Sequence, residues 1–187
     1  MDLGDSVGLA VSVDAADHQR GGGGGSADAG AVRRLRVPYT RLAYRHVQAL
    51  ERRRGESLGF VLRHFPLVEI HPHALAAAHA AEAAAAQGRF WDMHDLLFHR
   101  RKALAAEDLR ESAAQVGLDA ERFAAEVEGS THLARIERDV VTGAASGVRG
   151  TPTLFIDGPR HEGSYEAQEL GPALGMEVER VNDGRTT

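Results

Sequence analysis

Apolar and polar positions alternate along this chain in a way that predicts strands and helices in mixed order. Residues 41–54 carry apolar side chains at helical spacing, and Gly55 ends that pattern. Residues 58–65 are an almost unbroken apolar run, which is typical of a buried strand, and Pro66 closes it. The first half of the chain therefore predicts a helix followed by a strand.

A long helical block occupies the middle of the chain. Residues 72–87 are rich in alanine, with Pro72 at a first helical position and Gly88 as a stop. Asp119 and Thr131 are predicted N-caps of two later helices. Further apolar stripes at helical spacing are Phe90, Met93 and Leu97; Leu109, Ala113 and Val116; and Leu133, Ile136, Val140 and Ala144.

The pattern changes period after residue 151. Residues 153–157 read as a strand, Gly158-Pro159 as a turn, and residues 160–163 as the returning arm of a hairpin. A final helix is predicted over residues 166–174. The order of these elements predicts a mixed α/β fold with a helical insertion at about 72–147.

Both ends of the chain differ from the middle. Residues 1–30 are predicted to be a flexible leader, because residues 21–25 are five successive glycines and no core-forming pattern precedes them. Residues 176–187 are predicted to be a polar tail. The folded domain is thus expected to span residues 31–175.

Composition narrows the possible functions. The chain has 187 residues, 43% hydrophobic and 26% charged, and a net charge of −5, which does not favour nucleic-acid binding. It contains no cysteine, so disulfides and thiolate metal sites are excluded. We find no pattern typical of a signal peptide or a membrane span, and we expect a cytoplasmic protein without membrane association.

Several short segments, in this order and spacing, resemble the DsbA-like branch of the thioredoxin superfamily. The closest likeness is to thioredoxin-like domains that occur alone or fused to bacterial sodium/proton antiporters. The segments that carry the resemblance are Val13-Asp14 to Arg20-Gly21, Ala27-Asp28-Ala29, Phe60 to Leu67, His71 to Ala74, Gln87 to Phe98, Gly117-Leu118-Asp119 and Gly147 to Thr153.

The resemblance implies a thioredoxin fold and places the family's active site on Val37-Pro38-Tyr39-Thr40. In the family this position reads Cys-Pro-Tyr-Cys, so Val37 stands at the nucleophile and Thr40 at the resolving cysteine. Thr151-Pro152 matches the loop whose cis proline faces that motif and pairs with an extended substrate. Thiol–disulfide exchange begins with thiolate attack, so this chain is predicted to be redox-inactive.

The first strand of the family's fold is predicted to be shortened or damaged. Between Ala29 and Val37 the chain is about four residues shorter than the family pattern, roughly 13 Å of extended strand. The residues that remain, 33–36, are Arg-Arg-Leu-Arg, a composition too charged for a central buried strand. We therefore expect this strand to be damaged or displaced to an edge of the sheet.

The histidines and arginines favour structural roles. His73 and His79 are six residues apart, and His94 and His99 five apart, so neither pair shares a helix face as metal ligands would. We predict no metal site and no cofactor. The arginine-rich runs, residues 33–36 and 52–54, favour solvated faces over phosphate sites.

Three functions stay open at this point. The chain could bind an extended peptide or a partner protein through Pro38, Tyr39, Thr151 and Pro152, without enzyme activity. It could be a glutathione-dependent transferase or isomerase that uses a hydroxyl residue, although Val37 offers none and Thr40 would have to serve. It could also be a decayed, non-functional paralogue.

Overall fold

The computed structural model describes residues 8–21, 33–36, 41–54, 58–100 and 103–175. They fall into two compact units, a sheet unit formed by the described residues of 1–62 and 151–187, and a helical unit of residues 63–150. In chain order the elements are β1 (His18–Arg20), β2 (Arg33–Arg36), α1 (Arg41–Arg54), β3 (Leu58–Leu62), α2 (Ala74–Ala85), α3 (Phe90–His99), α4 (Ala106–Val116), α5 (Ala120–Glu128), α6 (Leu133–Ala145), β4 (Phe155–Ile156) and α7 (Ala167–Ala173).

The sheet unit contains four strands in the order β1-β3-β2-β4. Strand β3 is buried along its whole length and runs parallel to β2, with Leu35 opposite Phe60. Strand β4 pairs antiparallel with the other side of β2, where Leu35 lies opposite Ile156. The mixed α/β fold predicted from the sequence is confirmed.

The predicted edge position of the first strand is wrong. Strand β2, the Arg-Arg-Leu-Arg segment, lies inside the sheet and pairs with β3 on one side and β4 on the other. Strand pairing uses main-chain N–H and C=O groups, which every residue here carries. Side-chain composition therefore did not determine the order of the strands.

The predicted leader also contains part of the sheet. Strand β1 pairs antiparallel with β3, with His18 opposite Leu62. The guanidinium of Arg20 donates to both carboxylate oxygens of Glu51 on α1, at 2.8 and 3.2 Å, and lies 5.5 Å from the ring centroid of Phe60. This pairing and these contacts attach residues 18–20 to the sheet unit, whereas most of the glycine run lies outside the described residues.

The turn of the hairpin after residue 151 lies at a different position from the predicted one. Its turn is centred on Asp157 and Gly158, with φ of 52° and 114°, and the Ile156 N–H donates to the Pro159 carbonyl. Asp and Gly both tolerate a positive φ, and a turn with positive φ at both central residues matches the right-handed twist of the flanking strands. The turn is therefore one residue earlier than Gly158-Pro159.

The helical unit is built from α2 to α6, and the predicted insertion at 72–147 lies within it. Alanines of α2 let neighbouring helices approach closely, and they share a buried core with Met93, Leu97, Leu109 and Phe123. The Asp119 side chain accepts a hydrogen bond from the Arg122 N–H at 2.9 Å, which confirms the predicted cap of α5. Thr131 is not the cap of α6, because His132 occupies that position without a side-chain capping bond.

None of the helices among the described residues is both long enough and apolar enough to cross a membrane.

Candidate functional site

The segment that matches the Cys-Pro-Tyr-Cys motif, Val37-Pro38-Tyr39-Thr40, lies outside the described residues. Strand β2 ends at Arg36, immediately before it, and α1 begins at Arg41, immediately after it. Arg36 pairs with Phe155 in the antiparallel β2–β4 ladder. The last residue of β2 therefore lies beside the first residue of β4, at one end of the strands.

Thr151 and Pro152 lead into β4 at that same end of the strands, and their side chains are half-buried. The peptide bond between them is cis. Thr153, Leu154 and Phe155 follow and are buried, and the carbonyl of Leu154 accepts a hydrogen bond from the His161 N–H at 2.8 Å. The buried residues and the hairpin bond hold the Thr151-Pro152 segment in place.

Tyr165 is a functional candidate that we did not predict from the sequence. Its hydroxyl donates a hydrogen bond to the Pro152 carbonyl at 2.9 Å. Burial raises the pKa of Tyr165; Arg160 acts in the opposite direction and Glu162 in the same one. The hydroxyl thus keeps its proton near neutral pH and remains a donor. A lone tyrosine in the polar segment His161 to Glu166 was the available signal.

The main chain of Thr151 offers the unused polar groups of this segment. Among the described residues, neither its N–H nor its carbonyl has a hydrogen-bond partner. An unpaired main-chain N–H and carbonyl can pair with an extended chain, which is how strand addition works. The chemistry available here is main-chain hydrogen bonding.

Four histidines between residues 64 and 79 separate into two groups. His71 and His73 are exposed, whereas His64 and His79 are in a polar network of the helical unit. His64 Nε2 lies 2.8 Å from Glu82 Oε1, and His132 Nε2 lies 2.8 Å from Glu126 Oε2. We name His64, His79, Glu82, Glu126 and His132 the histidine cluster. Helical spacing alone did not reveal it, because its members come from segments far apart in the chain.

His79 differs from the other histidines of the cluster. It is 4% exposed, and its Nδ1 has no hydrogen-bond partner among the described residues. Burial lowers the pKa of His79, as do His132 and His64, whereas Glu82 raises it. His79 is therefore a buried neutral ring at neutral pH.

Two residues of the second arginine-rich run can be placed by their exposure. Arg52 and Arg53 are exposed on α1, as expected for a solvated face.

Comparison with known proteins connects this geometry to a family. A family model described as Thioredoxin matches residues 33–175. Among curated proteins, the Na⁺/H⁺ antiporter NhaA of Herminiimonas arsenicoxydans is 45% identical over 120 residues, which are 64% of this chain and 19% of the antiporter. NhaA 3 of Salinispora tropica is 41% identical over 144 residues, 77% of this chain and 20% of the antiporter. The chain thus spans about a fifth of the length of these relatives.

Solved structures share the fold at lower identity. A thioredoxin-like oxidoreductase from Silicibacter pomeroyi has a TM-score of 0.65 at 22% identity, covering 87% of this chain and 92% of that one. BdbD from Bacillus subtilis has a TM-score of 0.68 at 15% identity, covering 86% and 91%. The thiol-disulfide exchange protein α-DsbA2 from Wolbachia pipientis has a TM-score of 0.67 at 15% identity, covering 87% of both chains.

Proposed function

Because this chain belongs to the thioredoxin family and has the fold of its DsbA-like members, we propose that it acts by binding and not by thiol–disulfide exchange. The observation that carries this proposal is the absence of cysteine from all 187 residues. Disulfide exchange needs a thiolate to attack a disulfide sulfur. Valine at position 37 has no nucleophilic atom, and threonine at 40 is a weak nucleophile unless a base activates it.

The proposed binding surface is the Thr151-Pro152 segment, and the proposed ligand is an extended peptide or an unstructured segment of a partner protein. In the described part of the chain the N–H and carbonyl of Thr151 have no partner, which supports this assignment because together they provide one donor and one acceptor for a paired strand. The hydrogen bond from Tyr165 to Pro152 holds the next peptide unit in position. Pro38 and Tyr39 stay predicted members of the same surface, and a cytoplasmic location remains part of the proposal.

A reductase assay tests the redox part of this proposal. We expect the wild-type chain to reduce insulin with dithiothreitol no faster than dithiothreitol alone. A Val37→Cys/Thr40→Cys double variant is the matched positive control, because it restores the family's two sulfur atoms. Dithiol-dependent turnover by the wild-type chain would contradict the proposal. A folded but inert double variant would show that more than the two thiols has been lost.

A binding assay tests the surface. Amide NMR spectra are recorded with carboxymethylated insulin B chain, which is unfolded and cannot form disulfides, and separately with glutathione. We expect the peptide to shift the amides of Thr151 and Thr153. Thr151→Pro removes the N–H and should weaken binding, whereas Thr151→Val keeps the N–H and should bind as the wild type does. Loss of binding in Thr151→Val would instead implicate the hydroxyl.

The same spectra separate the alternatives. Shifts with glutathione and none with the peptide would favour the glutathione-dependent enzyme. A dispersed spectrum that neither ligand changes would count against peptide binding at this segment. A collapsed spectrum would favour the decayed paralogue.

The relatives suggest which partner to test first. The curated relatives are named Na⁺/H⁺ antiporters and are 39 to 45% identical over the matched region, compared with 14 to 22% for the structures. We therefore propose that the partner is an antiporter of this class, in the same polypeptide or in a separate one. Co-purification of this chain with the Salinispora tropica antiporter lacking its matching segment would support the proposal. Failure to co-purify under conditions where the antiporter is folded would remove it.

A further inference from the structure

The histidine cluster takes no part in the proposed peptide surface, and it joins four segments of the helical unit. His64 follows strand β3, His79 and Glu82 are one turn apart on α2, Glu126 is on α5, and His132 immediately precedes α6. Helix α2 packs against both α5 and α6. A change of charge in this cluster therefore acts on several helix contacts at once.

Protonation of His79 would place a second N–H donor on a buried ring. A charged imidazole has two N–H donors, and a buried donor without an acceptor loses its hydrogen bonds to water without replacement. The Nδ1 of His79 is buried and has no partner among the described residues. The carboxylates of Glu82 and Glu126 are each hydrogen-bonded to another histidine, at 2.8 Å.

We propose that His79 is a proton-sensitive element of the helical unit, and that protonation of its ring loosens the packing of α2 against α5 and the start of α6. The expected response is local opening of these helices as the solution becomes mildly acidic. A matching contact at the end of α2 is the hydrogen bond from Arg122 Nη2 to the Ala86 carbonyl, at 3.0 Å, which should open with it.

Other charged groups on the elements packed against α2 can also contribute to the pH dependence of helix opening. They are Asp92, His94, Asp95 and His99 on α3; Glu107, Asp108, Arg110 and Glu111 on α4; Glu121, Arg122, Glu126 and Glu128 on α5; and Arg135, Glu137, Arg138 and Asp139 on α6. The carboxylates of Glu126 and Asp139 are hydrogen-bonded to cationic or histidine side chains. His79 must therefore be isolated from them by substitution.

The sign of the effect follows from proton linkage. Because the pKa of His79 is lowered in the folded chain, the unfolded chain binds more protons below the ordinary histidine pKa of about 6.5. The contribution of neutral His79 to the free energy of unfolding is therefore fully present above that pH and is lost as the pH falls towards the folded-state pKa. For one proton, the unfolding equilibrium constant rises by at most about tenfold per pH unit.

Glu126 also makes the stability of the helical unit depend on pH, but in a separate and more acidic range. The hydrogen bond from His132 is the main reason why the pKa of Glu126 is lowered; burial raises it, and Arg122 lowers it further. The unfolded chain then binds more protons only below the ordinary glutamate pKa of about 4.3, so its contribution to stability is lost at more acidic pH. Measurements from about pH 7.5 down to 5.5 thus report on histidine rather than on Glu126.

The test compares wild type, His79→Met and His71→Met over that range. Methionine fills a similar buried space and does not titrate, and His71 is an exposed histidine of the same unit. Urea unfolding and amide hydrogen exchange of α2 are measured, with exchange corrected for its intrinsic pH dependence. We expect wild type and His71→Met to open several-fold more at the lower pH, and His79→Met to respond less. Equal pH dependence in all three would overturn the proposal.

A second measurement keeps the proposal testable if His79→Met does not fold. The ring of His79 is titrated by NMR in the wild-type chain while the protection of the α2 amides is followed. We expect α2 to lose protection in the same pH range in which the ring becomes charged. A ring that charges at an ordinary histidine pKa while α2 stays protected would overturn the proposal.

Discussion

The sheet unit and the helical unit of this chain differ in how closely the sequence pattern matches the structure. In the helical unit, α2 and α3 begin and end within about two residues of the pattern, because helix hydrogen bonds join residues four apart. In the sheet unit, the central residue of the β2 ladder, Leu35, pairs with Phe60 and Ile156, which lie far away in the chain. Local patterns therefore predict helices well and strand order poorly.

The two units also differ in where their polar groups lie. The helical unit buries charged and titratable side chains, among them His79, Glu82 and Asp139. In the sheet unit, the polar groups of the Thr151-Pro152 segment are mainly main-chain groups, together with the hydroxyl of Tyr165. The titratable side chains thus belong to the helical unit, whereas the proposed peptide surface of the sheet unit depends on main-chain groups.

The largest loss of stability is expected from a substitution in the core of the helical unit. Phe123 on α5 is 1% exposed, so Phe123→Ala should lower the free energy of unfolding of this unit by about 3–5 kcal/mol. Urea unfolding and hydrogen exchange of α2, α4 and α5 amides would measure it. Val141→Ala, at a position 65% exposed, is the control and should have little effect. Unchanged protection in Phe123→Ala would show that this core does not stabilise the helical unit.

A smaller loss of stability is expected when a buried carboxylate of the same unit is neutralised. Asp139 on α6 accepts hydrogen bonds from the His64 N–H, at 2.8 Å, and from Arg135. Asp139→Asn keeps the shape and removes the charge, so we expect a loss of about 2 kcal/mol in unfolding free energy. Glu137→Gln, an exposed position on the same helix, serves as the control. Equal stability of both variants would mean that the buried charge contributes nothing.

The smallest effect is expected in the sheet unit, at Tyr165. Tyr165→Phe removes one hydrogen bond to the Pro152 carbonyl and should cost about 1 kcal/mol of unfolding free energy. The amide resonances of Thr151 and Thr153 should shift, and affinity for the B-chain peptide should fall. Glu162→Gln, exposed in the same segment, is the control. Unchanged peptide affinity would remove Tyr165 from the positioning of this surface.

The candidate site was only partly predictable. Thr151 and Pro152 could be identified because their motif is local, and the structure places them where β4 begins. Val37, Pro38, Tyr39 and Thr40 lie outside the described residues, so their membership of the site stays a prediction. Tyr165 was missed because its partner, Pro152, is thirteen residues away and no periodic pattern connects them. The histidine cluster was missed for the same reason.

The sequence by itself determined the family, the helices with the Asp119 cap of α5, and the absence of thiol chemistry. Each of these depends on residue identity or on neighbours within a few positions, as at the Asp119 cap. Only the tertiary structure decided that the charged strand β2 lies inside the sheet and that the buried His79 has no partner for Nδ1 within the described ranges. Strand order and the burial of polar groups depend on contacts between distant residues, and local composition does not specify those contacts.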